Sequence, residues 1–283
     1  MTVAFVPPAG QAGHMLARLR AARPLVQCAT NHVSMDLVAN VLLALGAAPV
    51  MASAPEEAAE FSARANAAVC NIGTLSRDRV ASLEATAEAA RLGGKPWVLD
   101  PVGVGAARFR DETALGLLRR SPTAIRGNPS EIIALARAAG VGTEGGAPRG
   151  IDTAHAPAAA TNASAALASR HRCVAIASGP VDEITDGRRI ARVANGAPMM
   201  ARVTAMGCAL SATVAAFLSL DDDPLAASAV ALAMFGVAGE IAAMDGGAPV
   251  GPGAFRVRFI DAIHALTPEE LDRRARFLAA GEG

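Results

Sequence analysis

PWVLDPVGVGA, Pro96–Ala106, is a short run that is apolar at every position, ends on an acid, Asp100, and passes directly into a glycine-rich turn. A strand with one solvated face alternates apolar and polar residues, so a run that is apolar throughout predicts a strand covered on both faces, as in a parallel sheet. Runs of the same kind recur at Leu25–Cys28, Pro49–Ala52, Ala68–Ile72, Thr123–Ile125 and Cys173–Ala177. Between them lie helical periodicities at Ser34–Leu45, Glu56–Asn66, Arg77–Leu92, Asp111–Arg119, Pro129–Ala139 and Pro157–Ser169, several with a capping residue in front. Strands alternating with helix-length segments predict an α/β fold, with helices on both faces of a mostly parallel sheet.

Near Asp186–Gly187 the pattern changes. Val181–Thr185 and Arg188–Val193 flank a DG pair, which predicts a hairpin and hence an antiparallel edge. Helices at Cys208–Leu218, Pro224–Met244 and Pro252–Ala265 follow, and then a polar tail. Gly140–Pro157 reads as a loop too short to link two units of comparable size. No fixed-period repeat is visible, and the expectation is a single domain over residues 1–283.

Composition narrows the function classes. The 26 basic and 26 acidic residues cancel, which argues against binding to nucleic acid or to an anionic membrane surface, both of which call for a basic face. Aromatics make up 3%, with no Tyr, leaving little on which bases could stack. Hydrophobic residues at 52% are ample for a large core. Leu37–Ala54 is uncharged but interrupted by Asn40, Gly46 and Pro49, and Leu225–Gly239 stops at Glu240; both fall short of the roughly 20 apolar residues of a spanning helix and are expected as core. Cys28, Cys70, Cys173 and Cys208 form no metal-ligand spacing, and Met1–Gly13 lacks the pattern of a signal peptide, so a cytoplasmic protein with reduced thiols is expected.

In an open parallel sheet ligands bind beyond the carboxyl ends of the strands. Three motifs occupy such places. In the first, Asp100 ends a strand and could hold Mg²⁺ or its waters, or simply start the turn before Pro101; Arg108 stands where a dinucleotide fingerprint needs its third glycine. The second, AIRGNPSEI (Ala124–Ile132), brings Arg126, Asn128 and Glu131 together: an arginine for phosphate oxygens and a carboxylate for metal-bound water, or a plain helix start with Asn128 as N-cap and Glu131 in the capping box. The third, VTAMGCALSA (Val203–Ala212), turns into a helix whose first N–H groups, Ala205–Cys208, suit an anion. There the helix field is expected to lower the Cys208 thiol pKa, while a buried cysteine is the plainer alternative.

In this order, together with TNHVSMDLVANVLLALGAAPVMA (Thr30–Ala52), CNIGTLS (Cys70–Ser76) and GPGAF (Gly251–Phe255), the motifs resemble the hydroxyethylthiazole kinase family, a ribokinase-like family of thiamine salvage. The resemblance implies a ribokinase-like three-layer sandwich. It also implies transfer of the ATP γ-phosphoryl group to the primary hydroxyl of 4-methyl-5-(2-hydroxyethyl)thiazole. It places the thiazole near Asn31, Met51 and the turn Ala205, Met206, Gly207; nucleotide on Arg126 and Ser178, with Asn128 beside them; Mg²⁺ at Asp100 and Glu131; and Cys208 where sugar kinases carry an aspartate base. It further implies a homotrimer with active sites between subunits and Thr30–Ala52 facing a neighbour.

Three departures from the family pattern stand out: Ala205 and Met206 where a glycine and a small residue are usual, Ser178 for a common Thr, and His32 for a frequent Asn. Two other readings stay open. One is a related ribokinase-like activity, a hydroxymethylpyrimidine kinase or a nicotinamide-hydrate dehydratase, against which Cys208 stands in place of their usual Asp. The other is a catalytically weak thiazole- or nucleotide-binding regulator, against which Asp100, Arg126, Glu131 and Cys208 are all present.

Overall fold

A computed structural model describes residues 2–142 and 156–279. In chain order the elements are β1 (Val3–Ala4), α1 (Gln11–Ala22), β2 (Leu25–Ala29), α2 (Met35–Leu45), β3 (Ala48–Val50), α3 (Pro55–Arg64), β4 (Ala67–Asn71), α4 (Arg77–Leu92), β5 (Trp97–Asp100), α5 (Arg108–Leu118), β6 (Ala124–Gly127), α6 (Pro129–Ala138), α7 (Ala156–His171), β7 (Val174–Ala177), β8 (Asp182–Thr185) and β9 (Arg189–Val193). A 3-10 turn (Pro198–Arg202) then leads to α8 (Met206–Leu218), α9 (Pro224–Ala242), the small hairpin β10 (Met244–Asp245) and β11 (Ala248–Pro249), α10 (Pro252–Ala265) and α11 (Pro268–Arg274).

Nine strands form one sheet in the order β1-β9-β8-β7-β6-β5-β4-β2-β3. Every pairing is parallel except β7 with β8 and β8 with β9. The expected α/β class and the antiparallel hairpin are both present. The hairpin is not outermost, because β1 pairs parallel with β9 and covers it. Its connection is longer than the two residues that a DG pair suggests: Asp186 Oδ1 accepts from the N–H groups of Arg188 and Arg189, and Gly187 supplies the positive φ of 86°.

The sheet separates two cores because neighbouring strand residues point to opposite faces. Val98 packs with the cluster of α1, α2, α8, α9 and α10; Leu99 packs with that of α4, α5, α6 and α7. Three phenylalanines anchor the first cluster, with Phe235 edge-on to Phe259 at 4.8 Å and Phe255 stacked on Phe259 at 5.8 Å. Pro224–Ala242 is long and apolar enough to cross a membrane by length and composition, yet 89% of it is buried inside the protein, the core position expected for Leu225–Gly239. Leu37–Ala54 divides into α2 and the sheet-edge strand β3.

Five elements lie outside the expected set: β1, α1, the two strands of the hairpin β10–β11, and α11 within the polar tail. Most of Gly140–Pro157, expected as a loop, lies outside the described residues. The register brings the strand ends level: Ala29 pairs with Cys70, Asn71 with Asp100, and Gly127 with Ala177. Of the residues that leave this edge, Asn31 reaches Cys208 at the start of α8, and Ser178 lines one cleft with Met206 and Gly207.

Candidate active site

Asp100 is 1% exposed at the end of β5. Its Oδ2 accepts from Asn71 Nδ2 at 2.6 Å and from the Ser211 hydroxyl at 2.9 Å, while Oδ1 is buried with no partner among the described residues. Burial pushes this carboxyl up to about 6; the Arg126 charge opposes the rise and Glu131 adds to it. Asn71 Oδ1 accepts from Asn31 Nδ2 and from the Gly73 N–H, each at 2.9 Å. Asn31 Nδ2 also donates to Cys208 Sγ at 3.3 Å, and its Oδ1 receives the N–H groups of Val33 and Ser34. Cys208 and Ser211 lie three residues apart on α8, so Cys208, Asn31, Asn71, Asp100 and Ser211 close a ring that joins three strand ends to one helix.

Glu131 does what a capping box requires and more. Oε2 accepts the Asn128 N–H at 3.0 Å and Asn128 Oδ1 accepts the Glu131 N–H at 2.9 Å, which completes the box. Oε1 accepts the Gly103 N–H at 2.9 Å and so fixes the turn that follows Asp100. The helix-start reading holds, and the same carboxylate also ties the start of α6 to the turn after Asp100. Asn128 Oδ1 is occupied by the cap and by the Ser130 hydroxyl, so Asn128 acts on the site by fixing the end of β6.

Arg126 bridges to the third motif. Nη2 donates to the Ser178 hydroxyl, and its Nη1 lies so close to Gly207 that a side-chain carbon there would come within 2.5 Å. Ala205 is the N-cap of α8 at φ 67°, in the left-handed region, and gives no side-chain cap. The first N–H groups of α8 are thus left for an anion, supported by the helix dipole. Met206 opens the helix two residues earlier than expected and is buried, at 6% exposure, in the core cluster. Cys208 is partly buried in the first turn, but its pKa is raised, not lowered. Burial and the nearby Asp100 carboxylate push the thiol up, and the hydrogen bonds from Asn31, Asn71 and Ser34 offset only part of this.

Met51 follows β3 and packs half-buried against the larger core, outside the ring. Exposed His32 donates its backbone N–H to the Thr74 hydroxyl. A cleft of about 570 Å³ adjoins the ring, where Arg126, Ser178 and Gly207 meet apolar residues including Met200, Leu232 and Phe235. Asp182 also lines it, with one oxygen on the Gly179 N–H; burial pushes this carboxyl up to about 7, opposed by that hydrogen bond and by Arg126. Asn71 and Ser211 lie inside the motifs CNIGTLS and VTAMGCALSA without being singled out there, while Asp182 and the apolar wall lie outside the site motifs. Asn71 does end a strand, and that position alone could have flagged it.

A model of the hydroxyethylthiazole kinase family matches residues 16–269. The chain belongs to the hydroxyethylthiazole kinase family. It is 51% identical to the hydroxyethylthiazole kinase of Cereibacter sphaeroides (strain ATCC 17029) over 268 residues, covering 95% of this chain and 98% of that one. It is 47% identical to the enzyme of the same name from Rhizobium leguminosarum bv. trifolii, covering 95% and 97%. Among solved structures, the hydroxyethylthiazole kinase protein of Pyrococcus horikoshii superposes with a TM-score of 0.84 at 36% identity, covering 94% of this chain and 98% of that one. A pyridoxal kinase of Staphylococcus aureus in complex with AMP-PCP shares the fold, with a TM-score of 0.57 at 15% identity over 81% of this chain and 93% of that one.

Proposed function

We propose that this family member is a single-domain enzyme over residues 1–283 that transfers the γ-phosphoryl group of ATP to the primary hydroxyl of 4-methyl-5-(2-hydroxyethyl)thiazole, in thiamine salvage. The observation that carries the reading is the meeting of the open N–H groups of α8 with Arg126, against Gly207, beside the Cys208–Asn31 pair. The α8 turn from Ala205 to Gly207 receives the transferring group, Arg126 and Ser178 hold the nucleotide phosphates, and the cleft takes the rest of the nucleotide. The alcohol lies at Asn31 and Cys208, with Met51 as the more distant apolar wall.

In the transfer, the alcohol oxygen bonds to the γ-phosphorus and the bond to the β–γ bridging oxygen breaks, leaving ADP. Positioning and charge neutralisation carry most of such a step, and the hydroxyl proton leaves late, to solvent water. A thiol held above its ordinary pKa is neutral at pH 7, so Cys208 orients the hydroxyl more than it removes its proton. Divalent metal fits the residues present: Asp100 has a buried oxygen without a partner, and Glu131 keeps acceptor capacity beside it. Hard oxygen donors suit Mg²⁺, which would neutralise phosphate charge there. Among the described residues no group of three or more His, Cys, Asp or Glu side chains gathers to hold a metal, so phosphate and water would complete the shell.

The chain assembles as a homotrimer in this proposal, and Val33 at 59% and Leu43 at 60% exposure on Thr30–Ala52 support that stretch facing a neighbour. Four free cysteines support a cytoplasmic location. The test is a pair of substitutions under saturating thiazole. Arg126→Ala should lose about 10²–10³-fold in kcat/KM for ATP, as for other lost charge stabilisers, and Cys208→Ala less than about 10²-fold. The reverse order would overturn the assignment of roles.

A further inference from the structure

Glu240 ends the apolar run of α9, and nothing in the phosphoryl transfer calls for a carboxylate there. Its side chain is 16% exposed, and Oε1 accepts the Gly196 N–H at 3.0 Å, Asn195 Nδ2 at 3.1 Å and Arg276 Nη2 at 2.5 Å. Asn195, itself 5% exposed, also takes the Arg276 N–H on Oδ1 at 2.7 Å and donates to the Arg274 carbonyl at 2.9 Å. The segment after α11 is stitched along the end of β9, with the Ala194 N–H on the Arg276 carbonyl and the Leu278 N–H on the Arg192 carbonyl, both at 3.0 Å. On its other side Asn195 lies flat on α9 at Gly236, where a side-chain carbon would come within 2.6 Å of the Asn195 carbonyl oxygen. Asn195 and Gly196 are therefore clamped between α9 and residues 274–278, and with Ala197 and Pro198 they wall the cleft.

Among the described residues that line the cleft Arg126 is the cation, and burial holds the one acid there, Asp182, toward its neutral form. Glu240 stands behind the wall rather than on it, and its charge is countered by Arg276 and by Arg274, whose Nη2 lies 4.0 Å from Oε2. Half-buried ionic networks of this kind add little net stability and are better at fixing position. We propose that Glu240 is a positioning residue for the nucleotide: with Arg276 as its brace, it holds the Asn195–Pro198 wall opposite Arg126 and Ser178 and so sets the affinity for ATP without touching the reacting atoms. This rests on the cleft being the nucleotide site.

Steady-state kinetics on the whole chain test it, because a positioning role for one substrate splits its KM from kcat and from the other KM. Glu240→Ala raises KM for ATP about tenfold and leaves kcat and KM for the thiazole within about twofold. Glu240→Gln, which keeps an acceptor for the Gly196 N–H, recovers most of the loss, and Arg276→Ala raises KM for ATP about threefold. An unchanged KM for ATP in Glu240→Ala, or an equal rise in both KM values, overturns the proposal. Should Glu240→Ala not fold, Arg276→Ala decides: its side chain is 53% exposed, and an unchanged KM for ATP there overturns the proposal as well. Ala201→Trp, which fills the cleft, separates the two levels. If it leaves KM for ATP unchanged the cleft is not the nucleotide site; if it raises KM while Glu240→Ala does not, only the positioning role fails.

Discussion

Gly207 lies under the guanidinium of Arg126, so close that a methyl group on Gly207 would sit 2.5 Å from Nη1 and 3.2 Å from Cζ. The start of α8, where uncapped N–H groups suit an anion, and the cation from β6 are thus packed against each other, and the side chain that allows the approach is a hydrogen atom. Placing Arg126 is a matter of backbone contact, since among the described residues its side chain hydrogen-bonds to Ser178 alone and its buried Nε has no partner.

Gly207→Ala should therefore push Arg126 away while leaving a helix position that alanine favours. Steady-state kinetics are expected to show a loss of about 10²-fold in kcat/KM for ATP, the scale of a lost oxyanion donor. Thermal melts should change little.

Ala205 bears the opposite relation to its backbone. At φ 67° and ψ 4° an L side chain costs about 1–2 kcal/mol, a cost that glycine does not carry. Part of that gain is offset by the larger unfolded-state freedom of glycine, so Ala205→Gly should stabilise by roughly 0.5–1 kcal/mol. The urea midpoint should rise at unchanged slope.

Asp182 gives a pH dependence of definite sign. Its folded pKa of about 7 stands above the unfolded value near 3.8, so the native state holds the extra proton between these limits. Stability from this group is greatest below pH about 3.8 and is lost as pH rises through about 7. Asp182→Asn keeps an acceptor for the Gly179 N–H. It should match the parent at pH 4 and exceed it at pH 8 by on the order of 2–4 kcal/mol, measured by denaturant unfolding at both pH values.

Cys208 should behave as a neutral thiol. Its alkylation by iodoacetamide at pH 7.5 is expected to run more slowly than that of a free cysteine peptide, because the thiolate fraction is smaller. Rapid labelling, with protection by the thiazole, would contradict the raised pKa.

Local chemistry made the strand ends and the α6 capping box readable, because each is written within a few residues. Helix α1 was not readable, since its N-terminus has no local cap. The carboxylate that receives the Gly13 N–H at 2.8 Å belongs to Asp272 on α11, 259 residues away. The pKa of Cys208 escaped for the same reason: Asp100, Asn31 and the burying elements converge only in the fold. The cleft wall at Asn195 and Phe235 comes from a turn and from the buried face of a helix whose periodicity reports only burial.

ADP release from the purified chain with ATP and Mg²⁺, compared across hydroxyethylthiazole, hydroxymethylpyrimidine and no alcohol, decides whether the thiazole is the phosphoryl acceptor. The expected result is ADP formation that depends on the thiazole, together with the thiazole phosphate as product. Equal turnover with the pyrimidine, or no alcohol-dependent ADP from a chain that still binds nucleotide, would contradict it.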